Sequence, residues 1–344
     1  MPLIRIWVYD GILASGVAGI VDVLTAANTI LAERQQTSRR QPPLLRWRVE
    51  SLDGKPVQTA SGPRIEVDGA IADPAVADAV VITAPFVDDI ESFFGRGDLV
   101  APLLEAIRRQ HARGTLLASY CTGSFLLAEA GLLDGGVATT HWAKAQAFAA
   151  RYPKVDVRVS EILTEQDRII CSGAATTSLN LALRLLETFV GFDVAHATGR
   201  MMLIDMDRLP QSSYATLPER THADPLVARA QRRMQSSLQC AFSLAELSRE
   251  LAVSERTLNR RFKAAIGEAP LRYLQSLRVA VARRLLEKGE VKVESIGARV
   301  GYHDPSTFRS LFRRETGLSP RDYQRRFGLR TERGPTFSAP GAGR

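Results

Sequence analysis

The feature that most narrows the choice of fold is a repeat near the C-terminal end. FKAAIG at 262–267 and FRRETG at 312–317 share one pattern 50 residues apart. Each runs on to a proline (Pro270, Pro320) and a tyrosine (Tyr273, Tyr323) at the same offset. Self-similarity at a fixed offset marks one supersecondary unit written twice. In the first copy, 243–267, Leu244, Leu247 and Leu251 mark the apolar face of a short helix. A tight turn follows at 252–254. Ser254 then stands where it caps a second helix whose inner face carries Leu258 and Phe262. In the second copy, 293–317, Ile296 and Val300 form the first apolar face and Gly301 ends that helix. Asp304 caps the next helix, with Pro305 at its first position and Phe308, Leu311 and Phe312 pointing inward. Two helices joined by a tight turn form a helix-turn-helix. The intervening stretch 271–288 reads as one long helix, a semi-rigid spacer between the copies.

Charge says what such a pair of units would meet. The chain of 344 residues carries a net +8, but unevenly. Residues 226–344 hold 24 Lys and Arg against 11 Asp and Glu (+13), and residues 1–225 hold 21 against 26 (−5). A solvated basic surface would explain the charge alone; joined to a doubled helix-turn-helix it points to double-stranded DNA. The second helix of each unit fits the major groove. The residues expected to face DNA are Ser254, Glu255, Arg256, Asn259, Arg260 and Lys263 in the first unit, and Ser306, Thr307, Arg309, Ser310 and Arg313 in the second. Arginines suit guanine edges and Asn259 suits adenine; the remaining cations would hold phosphates and make binding salt-sensitive. Phe262, Phe308, Phe312 and Tyr323 are read as core.

A chain of this length is expected to hold two domains. With 45% hydrophobic and 24% charged residues, disorder is excluded for most of it. From 1 to about 205, short apolar or β-branched runs (3–9, 44–51, 79–83, 115–120, 168–171) alternate with helical patterns (19–33, 98–113, 122–130, 141–151, 177–189). Such alternation argues for an α/β fold with a mostly parallel sheet. Cys121, Cys171 and Cys240 have no metal-ligand spacing and no disulfide framework, so a reducing compartment is expected. No secretory leader is recognised and no unbroken run of 18 apolar residues exists, so no membrane association is expected and the cytoplasm is.

One junction in the first domain carries possible chemistry. Cys121 lies between a strand-like TLLASY and a helix-like TGSFLLAEA. A cysteine there sits at the carboxyl edge of a parallel sheet, where α/β folds bind ligands, and faces a helix start that lowers a thiol pKa. A small residue filling a tight turn is the plain alternative, and the residues alone leave both open.

The segment ASYCTGSFLLAEAGLLDGGVATTHW, 118–142, resembles the core of the class I glutamine-amidotransferase-like, ThiJ/PfpI superfamily, supported by GVAGIVDVL at 16–24 and CSGAATTSLNLAL at 171–183. The GYHDPSTFRSLFRRETGLSPRDYQRRF stretch, 301–327, resembles the AraC/XylS signature almost end to end. Together they resemble the GlxA-type subset of AraC regulators. The resemblance implies a flavodoxin-like parallel sheet with helices on both faces, followed by an all-α domain with two helix-turn-helix units.

Active members of the superfamily commonly place a histidine directly after the nucleophile, where this chain has Thr122. Many carry an acid near the start of the first helix, where this chain has Gly16. Their oxyanion loop is glycine-rich, where this chain has VVITAPF, with no N–H at Pro85. No catalytic residue, metal or cofactor is therefore expected. Cys121, Thr122, Gly123 and His141 are the candidate ligand pocket.

The expected division is a sensor and dimerisation domain at 1–205, a linker at 206–225, the DNA-binding domain at 226–330 and a disordered tail at 331–344. The function expected is a homodimeric, sequence-specific transcriptional activator. It would answer to a small-molecule effector and contact promoter DNA and RNA polymerase. A cysteine hydrolase or amidase fused to a DNA-binding module is the alternative.

Overall fold

The computed structural model describes residues 1–37, 44–73, 76–206, 211, 222, 224–289 and 292–328. The chain divides into two compact units, Met1–Ser212 and Ser213–Arg344. Most of the segment expected as a linker at 206–225, and all of the tail at 331–344, lie outside the described residues.

The first unit alternates strands and helices. Its elements in order are β1 (Leu3–Trp7), α1 (Ala14–Thr37), β2 (Arg46–Ser51), β3 (Val57–Gln58), β4 (Arg64–Ile65), β5 (Gly69–Ala70), β6 (Ala79–Ile82), α2 (Ile90–Phe94), α3 (Gly97–Ala112) and β7 (Leu116–Tyr120). They continue as α4 (Ser124–Glu129), β8 (Val137–Ala138), α5 (Ala145–Arg151), β9 (Asp156–Val157), β10 (Leu163–Gln166), β11 (Ile169–Ser172), α6 (Ser178–Val190) and α7 (Phe192–Met201). A seven-stranded sheet runs β10-β11-β7-β6-β1-β2-β5, parallel except where β10 meets β11. The sheet is parallel because its strands are apolar on both faces. Ala79, Val80, Val81 and Ile82 of β6 are all buried, as are all five residues of β7.

The chain moves one way along the sheet from β1 to β2 and the other way from β6 to β7. Right-handed crossovers then place α1 and α3 on opposite faces. Packing agrees: α1, α6 and α7 touch one another, and α3 packs with α2 and α4.

Helix α1 is longer than the 19–33 expected. Its stretch Ala14–Arg34 is long and apolar enough to cross a membrane, a match that a search for unbroken apolar runs does not reveal. Val17, Ile20, Val23, Leu24, Ala27 and Leu31 recur at helical spacing and are buried in the core of the first unit. The two helices expected at 122–130 and 141–151 each begin as a single 3₁₀ turn, Cys121–Gly123 and Trp142–Lys144, before α4 and α5.

The second unit is helical: α8 (Pro225–Ser236), α9 (Leu244–Glu250), α10 (Glu255–Ile266), α11 (Pro270–Lys288), α12 (Ile296–Arg299), α13 (Pro305–Thr316) and α14 (Pro320–Phe327). Its described residues form two small cores. One joins Leu226, Val227, Leu247, Leu251, Leu258 and Phe262; the other joins Ala282, Leu286, Ile296, Val300, Phe308, Phe312 and Tyr323. Helix α11 contributes to both, with Tyr273 and Leu274 in the first and Val279, Ala282 and Leu286 in the second.

Candidate functional site: two reader helices and a buried cysteine

The sequence builds α10 and α13 by the same local devices. Ser254 Oγ accepts the Thr257 N–H at 3.1 Å, and the Asp304 carboxylate accepts the N–H groups of Ser306 and Thr307. Each helix ends on a left-handed glycine, Gly267 (φ +85°) and Gly317 (φ +74°). Phe262 and Phe312 are fully buried, so the opposite face of each helix is turned outward.

The outward faces of the two helices are polar and cationic. Arg256, Asn259, Arg260 and Lys263 sit at i, i+3, i+4 and i+7 of α10. Ser306, Arg309, Ser310 and Arg313 occupy the same four positions of α13. Of these, Arg256, Arg260, Lys263, Arg309 and Arg313 are exposed, and among the described residues none makes an ion pair. Neighbouring arginines are paired: Arg261 with Asp224 (2.6 Å), Arg272 with Glu315 (2.6 Å), Arg314 with Glu315 (3.3 Å), Arg233 with Glu250 (2.6 Å) and Arg325 with Asp322 (2.8 Å). Cations left without acidic partners on one face of each helix keep their charge available for phosphate or base edges.

Three other expected residues serve the helix starts. Ser254 is the cap, and its hydroxyl lies 2.9 Å from that of Thr257. Thr307 Oγ1 donates to Asp304 Oδ2 at 2.6 Å, and this bond, with the backbone N–H groups of Thr307 and Ser306, holds the Asp304 carboxyl below its ordinary range. Glu255 is exposed in the first turn of α10, where a carboxylate suits the helix dipole.

In the first unit, Cys121 follows β7 with a left-handed backbone (φ +54°), uncommon for a residue with a side chain. A strained turn is the shape expected of a nucleophile, but the thiol is not activated. Burial pushes it up to about 11, against the bonds to Thr122 and the charge of Lys144, which pull the other way. Of the two readings that the residues leave open, burial of the thiol favours a residue filling a tight turn. The helix behind Cys121 is a single 3₁₀ turn and a six-residue α4, and desolvation outweighs it.

His141 does not approach as a base. Its Nδ1 accepts the Ala143 N–H at 3.2 Å, its ring stacks on Trp142, and burial, then Lys144, holds its pKa down. Among the described residues no hydrogen bond joins it to Cys121. Thr122 is buried and donates to the Pro85 carbonyl at 2.7 Å; a Cβ on Gly123 would stand 2.8 Å from the Ile82 carbonyl. Of the four expected pocket residues, Cys121 and His141 are half-buried, and Thr122 and Gly123 lock the turn onto β6.

The neighbourhood of Cys121 is closed in two further places. A Cβ on Gly16 would stand 2.3 Å from Tyr120 Oη, so the phenol fills the place beside Gly16. That hydroxyl is buried with no hydrogen-bond partner among the described residues, and burial raises its pKa. The Phe86 N–H, in the stretch that would form an oxyanion loop, already donates to the Gly11 carbonyl at 3.0 Å.

Residues 45–188 match the DJ-1/PfpI family, and residues 247–326 match a helix-turn-helix domain family. The chain is 27% identical over 335 residues to the HTH-type transcriptional regulator CdhR of Pseudomonas aeruginosa, covering 96% of this chain and 93% of that protein. It is 28% identical over 316 residues to the HTH-type transcriptional regulator GbdR of Pseudomonas aeruginosa, covering 91% and 81%. The chain thus joins a DJ-1/PfpI domain to an AraC-type helix-turn-helix domain, and it is similar over most of its length to regulators. A crystal structure of a Vibrio parahaemolyticus protein, 17% identical, shares a fold with it at a TM-score of 0.50, covering 58% of this chain and 98% of that one.

The AraC-type domain of this chain relies on two residues that pattern reading passes over. Asp224 caps α8 by accepting the Leu226 and Val227 N–H groups, and the same carboxylate holds Arg261 of the first reader helix through two bonds of 2.6 and 2.7 Å. Arg278 of α11 is buried and donates to the Leu238 and Cys240 carbonyls. An aspartate before a proline was a findable cap signal for α8. A buried arginine inside a helix gives no sequence signal, because periodicity expects an apolar residue there.

Proposed function

We propose that this chain is a sequence-specific transcriptional activator. In this reading it works as a homodimer in the cytoplasm, binds a small metabolite in its DJ-1/PfpI domain, and grips promoter DNA through α10 and α13 while contacting RNA polymerase. The observation that carries the reading is the exposed cationic face at matching positions of α10 and α13. Among the described residues, Arg256, Arg260, Lys263, Arg309 and Arg313 are exposed there and make no ion pair. Arg256, Asn259 and Arg260 then read bases from α10 and Arg309 from α13, with Lys263 and Arg313 on phosphates.

Cys121 belongs in this reading to the wall of a binding site and not to a catalytic pair, which its raised thiol pKa supports. A metabolite acts by binding one arrangement of the DNA-binding units better than another. The test is to map where the chain binds across its host genome and to measure its affinity for the recovered sites by fluorescence anisotropy, with and without a panel of amine and amino-acid metabolites. Binding with no sequence preference would remove the regulator reading. Sequence-specific binding unmoved by the whole panel would remove the effector.

A further inference from the structure

Gln211 precedes the DNA-binding unit in sequence and is 3% exposed. Its Nε2 donates to Thr139 Oγ1 (3.1 Å), the Thr140 carbonyl (3.1 Å) and the Glu161 carbonyl (3.2 Å). Thr139 Oγ1 spends its own proton on the Glu161 carbonyl at 2.9 Å, so it meets Gln211 as an acceptor. Three acceptors thus face an NH₂ group with two protons. On the other side of the carboxamide, Oε1 is buried with no hydrogen-bond partner among the described residues. The fit in shape is close: a Cβ on Gly173 would stand 2.1 Å from the Gln211 carboxamide. The fit in chemistry is incomplete, with one acceptor too many on the wall and an orphaned oxygen on the occupant.

The cradle stands beside Cys121. Gly173 follows Ser172 and Cys121 follows Tyr120, and Ser172 and Tyr120 are register partners on parallel strands β11 and β7. Both lie at the carboxyl edge of the sheet, the usual ligand position in open α/β folds. Thr140 links them, since its carbonyl takes Gln211 and its hydroxyl donates to the Cys121 carbonyl at 3.2 Å.

We propose that this cradle is a subsite for the protonated nitrogen of a small ligand, a primary ammonium, and that Gln211 holds its place in the unliganded chain. The proposal rests on the ligand-responsive reading above. A primary ammonium offers three N–H donors and no acceptor, which matches the three oxygens and leaves nothing orphaned. A carboxylate has no place there, because the three groups that meet Gln211 present only acceptors to it. The ligand and Gln211 exclude one another, so binding expels the Gln211 side chain from the cradle.

The test uses the full chain and its Gln211→Ala variant, with methylammonium as the probe and tetramethylammonium, which lacks N–H groups, as the control. Saturation-transfer NMR should show methylammonium binding Gln211→Ala about tenfold more tightly than the unaltered chain, because the competing side chain is gone. Adding Gly173→Ala should abolish that binding. Equal affinity for the two chains, or equal binding of tetramethylammonium, overturns the proposal.

If Gln211→Ala does not fold, the unaltered chain still decides. The Gln211 carboxamide resonances, assigned by their loss in Gln211→Met, must move with methylammonium and stay with tetramethylammonium; resonances that stay with both overturn the proposal. An operator affinity that responds to a metabolite, in a chain whose Gln211→Ala variant binds no methylammonium, removes the cradle and leaves the response intact.

Discussion

The guanidinium of Arg278 lies over the ring of Tyr302, 5.1 Å from its centroid, while donating to the carbonyls of Leu238 (3.0 Å) and Cys240 (2.6 Å). One side chain on α11 therefore holds both the loop ahead of the first helix-turn-helix and the turn of the second. The packing around it is tight. A Cβ on Gly301 would stand 2.7 Å from both Arg278 Nη2 and the Leu238 carbonyl. The long helix between the reader helices is thus more than a spacer, because it is clamped to both units.

Arg278→Met should destabilise the DNA-binding unit by about 2–4 kcal/mol, since it leaves two carbonyls without their donor and removes a cation–π contact. It should also loosen the spacing rule for DNA. Anisotropy titrations with operators carrying one inserted base pair between the two contacted grooves should show a smaller penalty for the variant than for the unaltered chain. Equal penalties would mean that the spacing is set by α11 alone. Gly301→Ala should act in the same direction, because its Cβ cannot coexist with the Arg278 position.

Arg260→Ala and Arg309→Ala should each weaken binding to the cognate site by about 1–3 kcal/mol while affecting unrelated DNA less, if either makes a bidentate base contact. Lys263→Ala should weaken both kinds of DNA alike and reduce the salt slope by about one. Arg261→Ala is the control from the same helix. Its guanidinium is held by Asp224, so it should lower thermal stability and leave base preference unchanged. A loss of preference at one base pair in Arg261→Ala would move that residue onto the DNA face.

The parts of this molecule that were legible in the sequence are those set by short-range rules. Ser254, Asp304-Pro305, Gly267 and Gly317 announce helix ends by their own backbone chemistry, and the 50-residue repeat made each copy a check on the other. The central strands were legible because they are apolar on both faces. The two-residue strands β3, β4, β5, β8 and β9 are too short to show a period, and α7 hides its buried face behind Thr198 and Gly199. The functional detail least visible in advance was polar and buried. Gln211, Arg278 and the Tyr120 hydroxyl act through long-range contacts that no window of sequence contains. Cys121 was placed correctly on its turn, but its thiol pKa depends on burial, which the turn does not reveal.

Cys121 should be slow to react near neutrality. With its pKa pushed up to about 11, the thiolate is about one part in 10⁴ at pH 7. Iodoacetamide followed by peptide mass mapping should modify the exposed Cys240 first and leave the buried Cys171 unmodified. Labelling of Cys121 should climb steeply as pH rises toward 10, because the thiolate is the reactive form. Cys121→Ser should leave operator affinity unchanged in the absence of effector. Rapid stoichiometric labelling of Cys121 at pH 7 would restore the hydrolase alternative and call for a search for its substrate.

Asp224 provides a pH test of the link between α8 and the first reader helix. The bond to Arg261, followed by the capped N–H groups of Val227 and Leu226, holds its carboxyl below the ordinary aspartate range, with partial burial opposing. A carboxylate depressed in the folded chain adds stability above its unfolded pKa of about 4, and loses it as pH falls through the lower folded value. Asp224→Asn keeps a side-chain oxygen that caps equally well and removes only the charge facing Arg261. At pH 7 the variant should therefore melt slightly earlier, by an amount worth about 0.5–1 kcal/mol, and the difference should shrink toward zero as pH falls below 4. Calorimetry of the full chain is the suitable readout, because Trp7, Trp47 and Trp142 all lie in the first unit and their fluorescence would not follow the second. No gap between the two chains at pH 7 would show that the carboxylate acts as a cap alone, and that the Arg261 pair does not stabilise the reader helix.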